Sequence, residues 1–89
     1  SPNHGTSPDN LERVMREGLL PMSRQFVHLS TDVEMARAVG LRHASRPVVL
    51  RVDAAAAHAA GIPFYKGNDK VWLADEVPPQ FVTAQTLTS

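Results

Sequence analysis

Apolar and polar positions along the chain follow two periods, one helical and one extended. In residues 8–17, Leu11, Val14 and Met15 recur at i, i+3 and i+4, the single apolar stripe of a short helix. Ser7 and Pro8 precede it as N-cap and first helical residue. The serine oxygen accepts an orphan N–H there, and proline has none to lose. Asp9 adds a negative charge at the positive helix end. Gly18 follows the last periodic residue, where a chain leaving a helix turns into the left-handed region. Leu19, Leu20 and Met22, around Pro21, read as a packed loop.

The stretch QFVHLS, residues 25–30, alternates as a strand does. Phe26, His28 and Ser30 share one face, and Val27 and Leu29 share the other. Thr31 and Glu34 form a capping box that predicts a helix over residues 32–43. Met35, Ala36, Val39 and Leu41 would be its buried side. Residues 47–53, PVVLRVD, are almost continuously apolar and predict a central strand. An alanine-rich helix or turn ends at Gly61, IPFY is extended, and residues 66–69, KGND, read as a turn. VWLA and FVTA are the last strands, with Pro78-Pro79 breaking the chain between them. Helices concentrate early and strands late, which predicts an α+β domain and not a doubly wound sheet.

Composition narrows this picture. A chain of 89 residues fits one domain. The absence of cysteine removes disulfides and thiolate metal sites and fits a reducing, cytoplasmic setting. No apolar run approaches the roughly 18 residues of a membrane span. Nine basic and nine acidic residues cancel to a formal charge of zero, which argues against strong autonomous binding to RNA or DNA. Arg37, Arg42, His43, Arg46 and Arg51 are nevertheless grouped. They read either as a cationic face or as solvated helix and strand ends.

The histidines carry the candidate chemistry. They stand at 4, 28, 43 and 58, with no i+3 or i+4 pair, so no metal site is expected. His58, in the alanine run, reads as exposed or simply packed. His4 and His28 each lead into a run of small or hydroxyl residues at a strand-to-helix junction: His4-Gly5-Thr6-Ser7 and His28-Leu29-Ser30-Thr31. Such junctions offer free N–H groups for amides and phosphates, and Gly5 would let a ligand approach the backbone. Two capped junctions with satisfied histidines are the plainer reading. Arg24 is a surface charge or a bidentate phosphate ligand.

Taken together, HGTSPDNLERVMREGL, PMSRQFVHLS, RPVVLRVDA, GIPFY and VWLADEVPPQF resemble the RNA 2′-phosphotransferase family, in order, from His4 to Val82. The resemblance is to that family's C-terminal lobe, which has an ADP-ribosyltransferase-like fold of mixed or antiparallel sheets with short flanking helices and holds NAD. It implies that residues 1–89 form a single NAD-binding lobe without the family's N-terminal RNA-binding lobe. By resemblance, His4 bonds an NAD ribose, the Gly5 backbone meets the nicotinamide amide, and His28 is the second histidine of the signature. Thr6, Ser7, Gly18, Leu29 and Ser30 fall on the NAD side. Val71 takes a position where relatives with protein substrates carry glutamate. Arg24 is the catalytic arginine of this lobe, and Arg42 and His43 are candidates to face RNA. The implied reaction passes an RNA 2′-phosphate to ADP-ribose, leaving 2′-OH RNA, nicotinamide and ADP-ribose 1″,2″-cyclic phosphate, as in tRNA splicing.

The chain departs from that pattern at Asn3, where tyrosine is frequent, at Phe26, where histidine is frequent, and in the KGND turn. The expected partners are RNA with an internal 2′-phosphate and no membrane, and the expected state is a monomer. The rival readings are a stand-alone ADP-ribosyltransferase acting on RNA ends or another acceptor, of the kind found in toxins, and a non-catalytic nucleotide-binding domain.

Overall fold

A computed structural model describes residues 2–21 and 25–85. The elements in order are β1 (Asn3–Thr6), a 3-10 turn (Pro8–Asn10), α1 (Leu11–Glu17), β2 (Val27–Ser30), α2 (Val33–Leu41), β3 (Val48–Val52), α3 (Ala54–Ala59), β4 (Phe64–Asn68), β5 (Val71–Ala74), a second 3-10 turn (Pro79–Phe81) and β6 (Val82–Gln85). The strands form one six-stranded sheet in the order β4-β5-β2-β1-β3-β6. Every neighbouring pair is antiparallel. The α+β class is what the pattern predicts, and of the mixed or antiparallel sheets that the resemblance implies, the sheet here is antiparallel.

Several local expectations shift. The helix over residues 8–17 divides into the 3-10 turn and α1, with the Ser7 hydroxyl accepting from the Asp9 N–H at 3.2 Å. Asp32, not Thr31, caps α2, because its carboxylate takes the Glu34 N–H at 2.8 Å. Thr31 is drawn instead to the turn before β5, its N–H donating to the Lys70 carbonyl at 3.0 Å. Helix α2 ends at Leu41, which is 45% exposed, and its fully buried positions are Ala36 and Gly40. The expectation that Leu41 is buried is therefore corrected: this helix seats its small residues, not its large ones. Strand β4 runs on through Lys66 and Asn68, with an irregularity between them at Gly67, so the turn comes later than residues 66–69. The Asn68 side chain closes it by accepting from the Lys70 N–H at 2.8 Å. Strand β3 is interior, but the two middle places belong to β2 and β1.

The two faces of the sheet are covered differently. One face carries the main core of Val14, Leu19, Val27, Leu29, Leu50, Val52, Ala74, Val77 and Val82. Helix α2 packs on the other face, chiefly over β1 and β3. Its seat is Gly5, where a Cβ would fall 1.7 Å from the Ala36 carbonyl oxygen. Gly5 thus has a packing reason to be glycine, because a helix backbone lies against it. The loop after α1 is held to the rest by paired bonds between Leu19 and Val77, at 2.8 and 2.9 Å.

Candidate active site

The sheet is split down its middle. Strands β1 and β2 are neighbours but share a single register pair, Asn3 with Ser30. A continued ladder would set Gly5 against His28. Instead the strands part, and the His4 imidazole bridges the gap, its Nδ1 lying 3.0 Å from the His28 carbonyl oxygen. The opening is a cleft of about 410 Å³, within the range of small-molecule sites.

Each polar group of the cleft has a local cause. A carbonyl oxygen only accepts, so His4 Nδ1 carries the proton, and the neutral ring keeps Nε2 as an acceptor. His28 is fixed the same way, its Nδ1 lying 3.0 Å from the Phe26 carbonyl. The two rings therefore present the same acceptor nitrogen. Asn10 donates to the Thr6 hydroxyl at 3.3 Å, tying the end of β1 to the turn before α1. Asn3 donates to the Ser30 carbonyl at 3.3 Å and closes the paired end. Helix α2 adds Met35, Ala36 and Val39, with Arg42 and His43 beyond its last turn. Helix α1 adds Arg13. No carboxylate lines the cleft among the described residues, and neither Arg13 nor Arg42 has an ion-pair partner there. Two of the nine basic residues, Arg13 and Arg42, thus line a cleft where no acid offsets them.

Of the residues singled out in the sequence, His4, Gly5, Thr6, His28, Ser30, Val71, Arg42 and His43 come together in this cleft. Three others do not line it. Ser7 caps the 3-10 turn. Gly18, at φ +85°, ends α1. Leu29 is fully buried in the core on the face opposite His28. Those three therefore stand apart from the cleft. Arg24 lies outside the described residues. Sequence reasoning misses Arg13 and Asn10. Both belong to the capped segment after His4-Gly5-Thr6, and Arg13 adjoins Val14 on the rim of the apolar stripe, which is the available signal.

The pKa of His4 lies below the ordinary imidazole value, chiefly because burial disfavours the charged ring. Its bond to the His28 carbonyl opposes this, and the neighbouring His28 and His43 rings add to the lowering. The unfolded chain therefore binds the proton more readily than the folded one. The stability contributed is full above about pH 6.5 and is lost as pH falls through the folded value. Urea midpoints should drop between about pH 7 and pH 5. His4→Gln, which keeps a donor for the His28 carbonyl without titrating, should flatten that drop. Equal slopes in the two proteins would remove His4 as the cause.

A second cavity of about 420 Å³ lies between α3 and the β4–β5 hairpin, walled by Ala54, Ala55, Phe64 and Trp72, with His58 at its edge. Among the described residues, no cluster of histidine and carboxylate side chains is placed to hold a metal ion. No helix there is long and apolar enough to cross a membrane.

Comparison with known proteins gives the family of the chain. The sequence matches the RNA 2′-phosphotransferase, Tpt1 / KptA family over residues 2–76. It is 51% identical over 79 residues to a probable RNA 2′-phosphotransferase of Bacillus thuringiensis subsp. konkukian, covering 89% of this chain and 43% of that protein. The protein of the same description from Acetivibrio thermocellus is 49% identical, with the same coverage of both chains. That from Pseudomonas fluorescens is 43% identical over 81 residues, covering 91% of this chain and 44% of the relative. The chain thus spans less than half the length of these relatives. The histidine junctions that wall the cleft fall inside the matched segment, and the chain belongs to the RNA 2′-phosphotransferase family.

Proposed function

We propose that the chain is the NAD-binding lobe of an NAD-dependent RNA 2′-phosphotransferase. The observation that carries this reading is the split between β1 and β2, which sets the two histidine junctions of a family member on one cleft. The residues present suit a dinucleotide. Two imidazoles with free Nε2 acceptors match ribose hydroxyls, Val39 and Met35 give apolar wall for a ring, and arginines without acid neighbours match phosphates. When bound, NAD supplies a ribosyl electrophile: the RNA 2′-phosphate displaces nicotinamide, and the ribose 2″-hydroxyl then takes the phosphate as ADP-ribose 1″,2″-cyclic phosphate, freeing the RNA 2′-hydroxyl.

The chain's own residues have simpler tasks. His4 and His28 orient the ribose by accepting from its hydroxyls, and the His28 carbonyl holds the His4 ring in the tautomer that does so. The Gly5 backbone meets the nicotinamide amide. Thr6 and Ser30 give the cleft a polar floor. Val71 brings no carboxylate to the acceptor side, which suits an acceptor that is already an anion and needs no general base. Arg24 stabilises charge on the transferring phosphate. Arg42 and His43 meet RNA phosphates at the α2 lip.

Calorimetry with this 89-residue chain tests the NAD assignment directly. His4→Ala should weaken NAD binding about tenfold or more, as expected when a buried polar partner is left unpaired. Unchanged affinity would place NAD elsewhere. For the reaction itself, the chain joined to the remainder of a relative should remove a 2′-phosphate from RNA only when NAD is present. Phosphate removal without NAD would refute the mechanism.

A further inference from the structure

The sheet face that carries α2 is only half covered. Helix α2 packs chiefly over β1 and β3, and the β2–β5–β4 half of the same face holds a row of side chains of its own. Cross-strand register sets His28 opposite Leu73, and Leu73 opposite Tyr65, so all three point to one face. Phe26, two residues before His28, joins them by strand alternation. Tyr65 is 43% exposed and His28 is exposed. The Phe26 and Tyr65 rings have centroids 5.7 Å apart and planes inclined at 57°, so neither ring covers the face of the other. The Tyr65 hydroxyl donates to Asp75 at 3.2 Å, which fixes the ring's position. Phe26 also lines the cleft, so the aromatic pair is continuous with it.

We propose that Phe26 and Tyr65 form a stacking platform for a base of the acceptor RNA, next to the nucleotide that carries the 2′-phosphate. Unstacked bases of single-stranded RNA dock on aromatic side chains displayed by a sheet face. An exposed tyrosine ring held at its hydroxyl loses little freedom on taking a base. Continuity with the cleft through Phe26 fixes which base is bound: one within a nucleotide or two of the reacting phosphate. This placement rests on the reading of the chain as acting on RNA. Arg42 and His43, just past the end of α2, line the same cleft, so RNA would be gripped both by charge and by stacking.

The test is fluorescence anisotropy with a short, labelled, single-stranded oligoribonucleotide bearing one internal 2′-phosphate, without NAD. Tyr65→Ala should weaken binding about tenfold, whereas Tyr65→Phe, which keeps the ring, should stay within about twofold of the parent. Phe26→Leu, which keeps apolar volume, should lose affinity as Tyr65→Ala does. An abasic residue beside the phosphorylated nucleotide should weaken the parent protein but cause no further loss in Tyr65→Ala. The proposal is overturned if Tyr65→Ala binds like the parent, if the abasic probe binds the parent as tightly as the intact one, or if the parent shows no binding to the oligonucleotide. NAD affinity, measured separately, should be the same in Tyr65→Ala and Tyr65→Phe, since Tyr65 does not line the cleft. Failure of the NAD reading would appear there and in His4→Ala, independently of the stacking result.

Discussion

Gly5→Ala should remove about 3 kcal/mol of stability or more, the upper range for overpacking a well-filled site. The methyl group would meet the Ala36 carbonyl oxygen at 1.7 Å, the Ala36 carbonyl carbon at 2.7 Å and the Gly40 nitrogen at 2.9 Å. All three are backbone atoms of one helix, so no side-chain rotation relieves the clash, and α2 must lift as a body. Lifting it uncovers Val49, which is fully buried, and carries Met35 and Val39 away from the cleft. A domain of this size has only about 5–10 kcal/mol in all. Urea unfolding should therefore show a large fall in midpoint, and NAD affinity in the surviving folded fraction should fall with it. A midpoint close to that of the parent would mean that α2 does not lie against β1 as described.

Gly18→Ala is expected to cost about 2–4 kcal/mol, combining backbone strain with overpacking. Gly18 has φ +85° and ψ −174°, a region that side chains bearing a Cβ rarely enter. Its Cβ would also lie 2.1 Å from the Val77 carbonyl oxygen, the atom that accepts from the Leu19 N–H. The substitution therefore strains the end of α1 and pushes on the bonded pair that ties Leu19 to Val77. Gly61 is the natural comparison, with φ +96° and nothing within 4 Å of the place a Cβ would take. Gly61→Ala bears the backbone strain alone and should lose only about 1 kcal/mol. Thermal melts of the two variants should rank accordingly, and an equal loss at both positions would show that contact with Val77 is unimportant.

The elements are legible where one local rule decides them. The Val27/Leu29 alternation, the serine and proline before α1 and the apolar run of β3 each survive folding because nothing distant competes with them. The cleft residues are legible for another reason: His4 and His28 begin junctions whose backbone chemistry is written in adjacent residues. What is not legible depends on meetings between segments far apart in sequence. The buried stripe of α2 is legible at Ala36 but not at Gly40, which is buried in place of Leu41 because the helix backbone lies against Gly5 of β1. Thr31 loses its capping role to a carbonyl at position 70. Ser7, Gly18 and Leu29 carry the sequence neighbourhood of the site without its geometry. Arg13 is hidden as one charge on a short helix until the fold places it on a wall without acids.

The split between β1 and β2 also has a consequence for how the protein responds to what it binds. The sheet is two three-stranded ribbons, β4-β5-β2 and β1-β3-β6, riveted at Asn3 and Ser30 and stitched once more by the His4 ring. Much of the joint is left to side chains and to the helices on either face. A ligand that reaches from one ribbon to the other supplies cross-ties that the ladder itself omits. Occupancy and cohesion then rise together, since whatever binds only the folded form shifts the unfolding equilibrium by mass action. The guest molecule acts as the absent rung of the sheet.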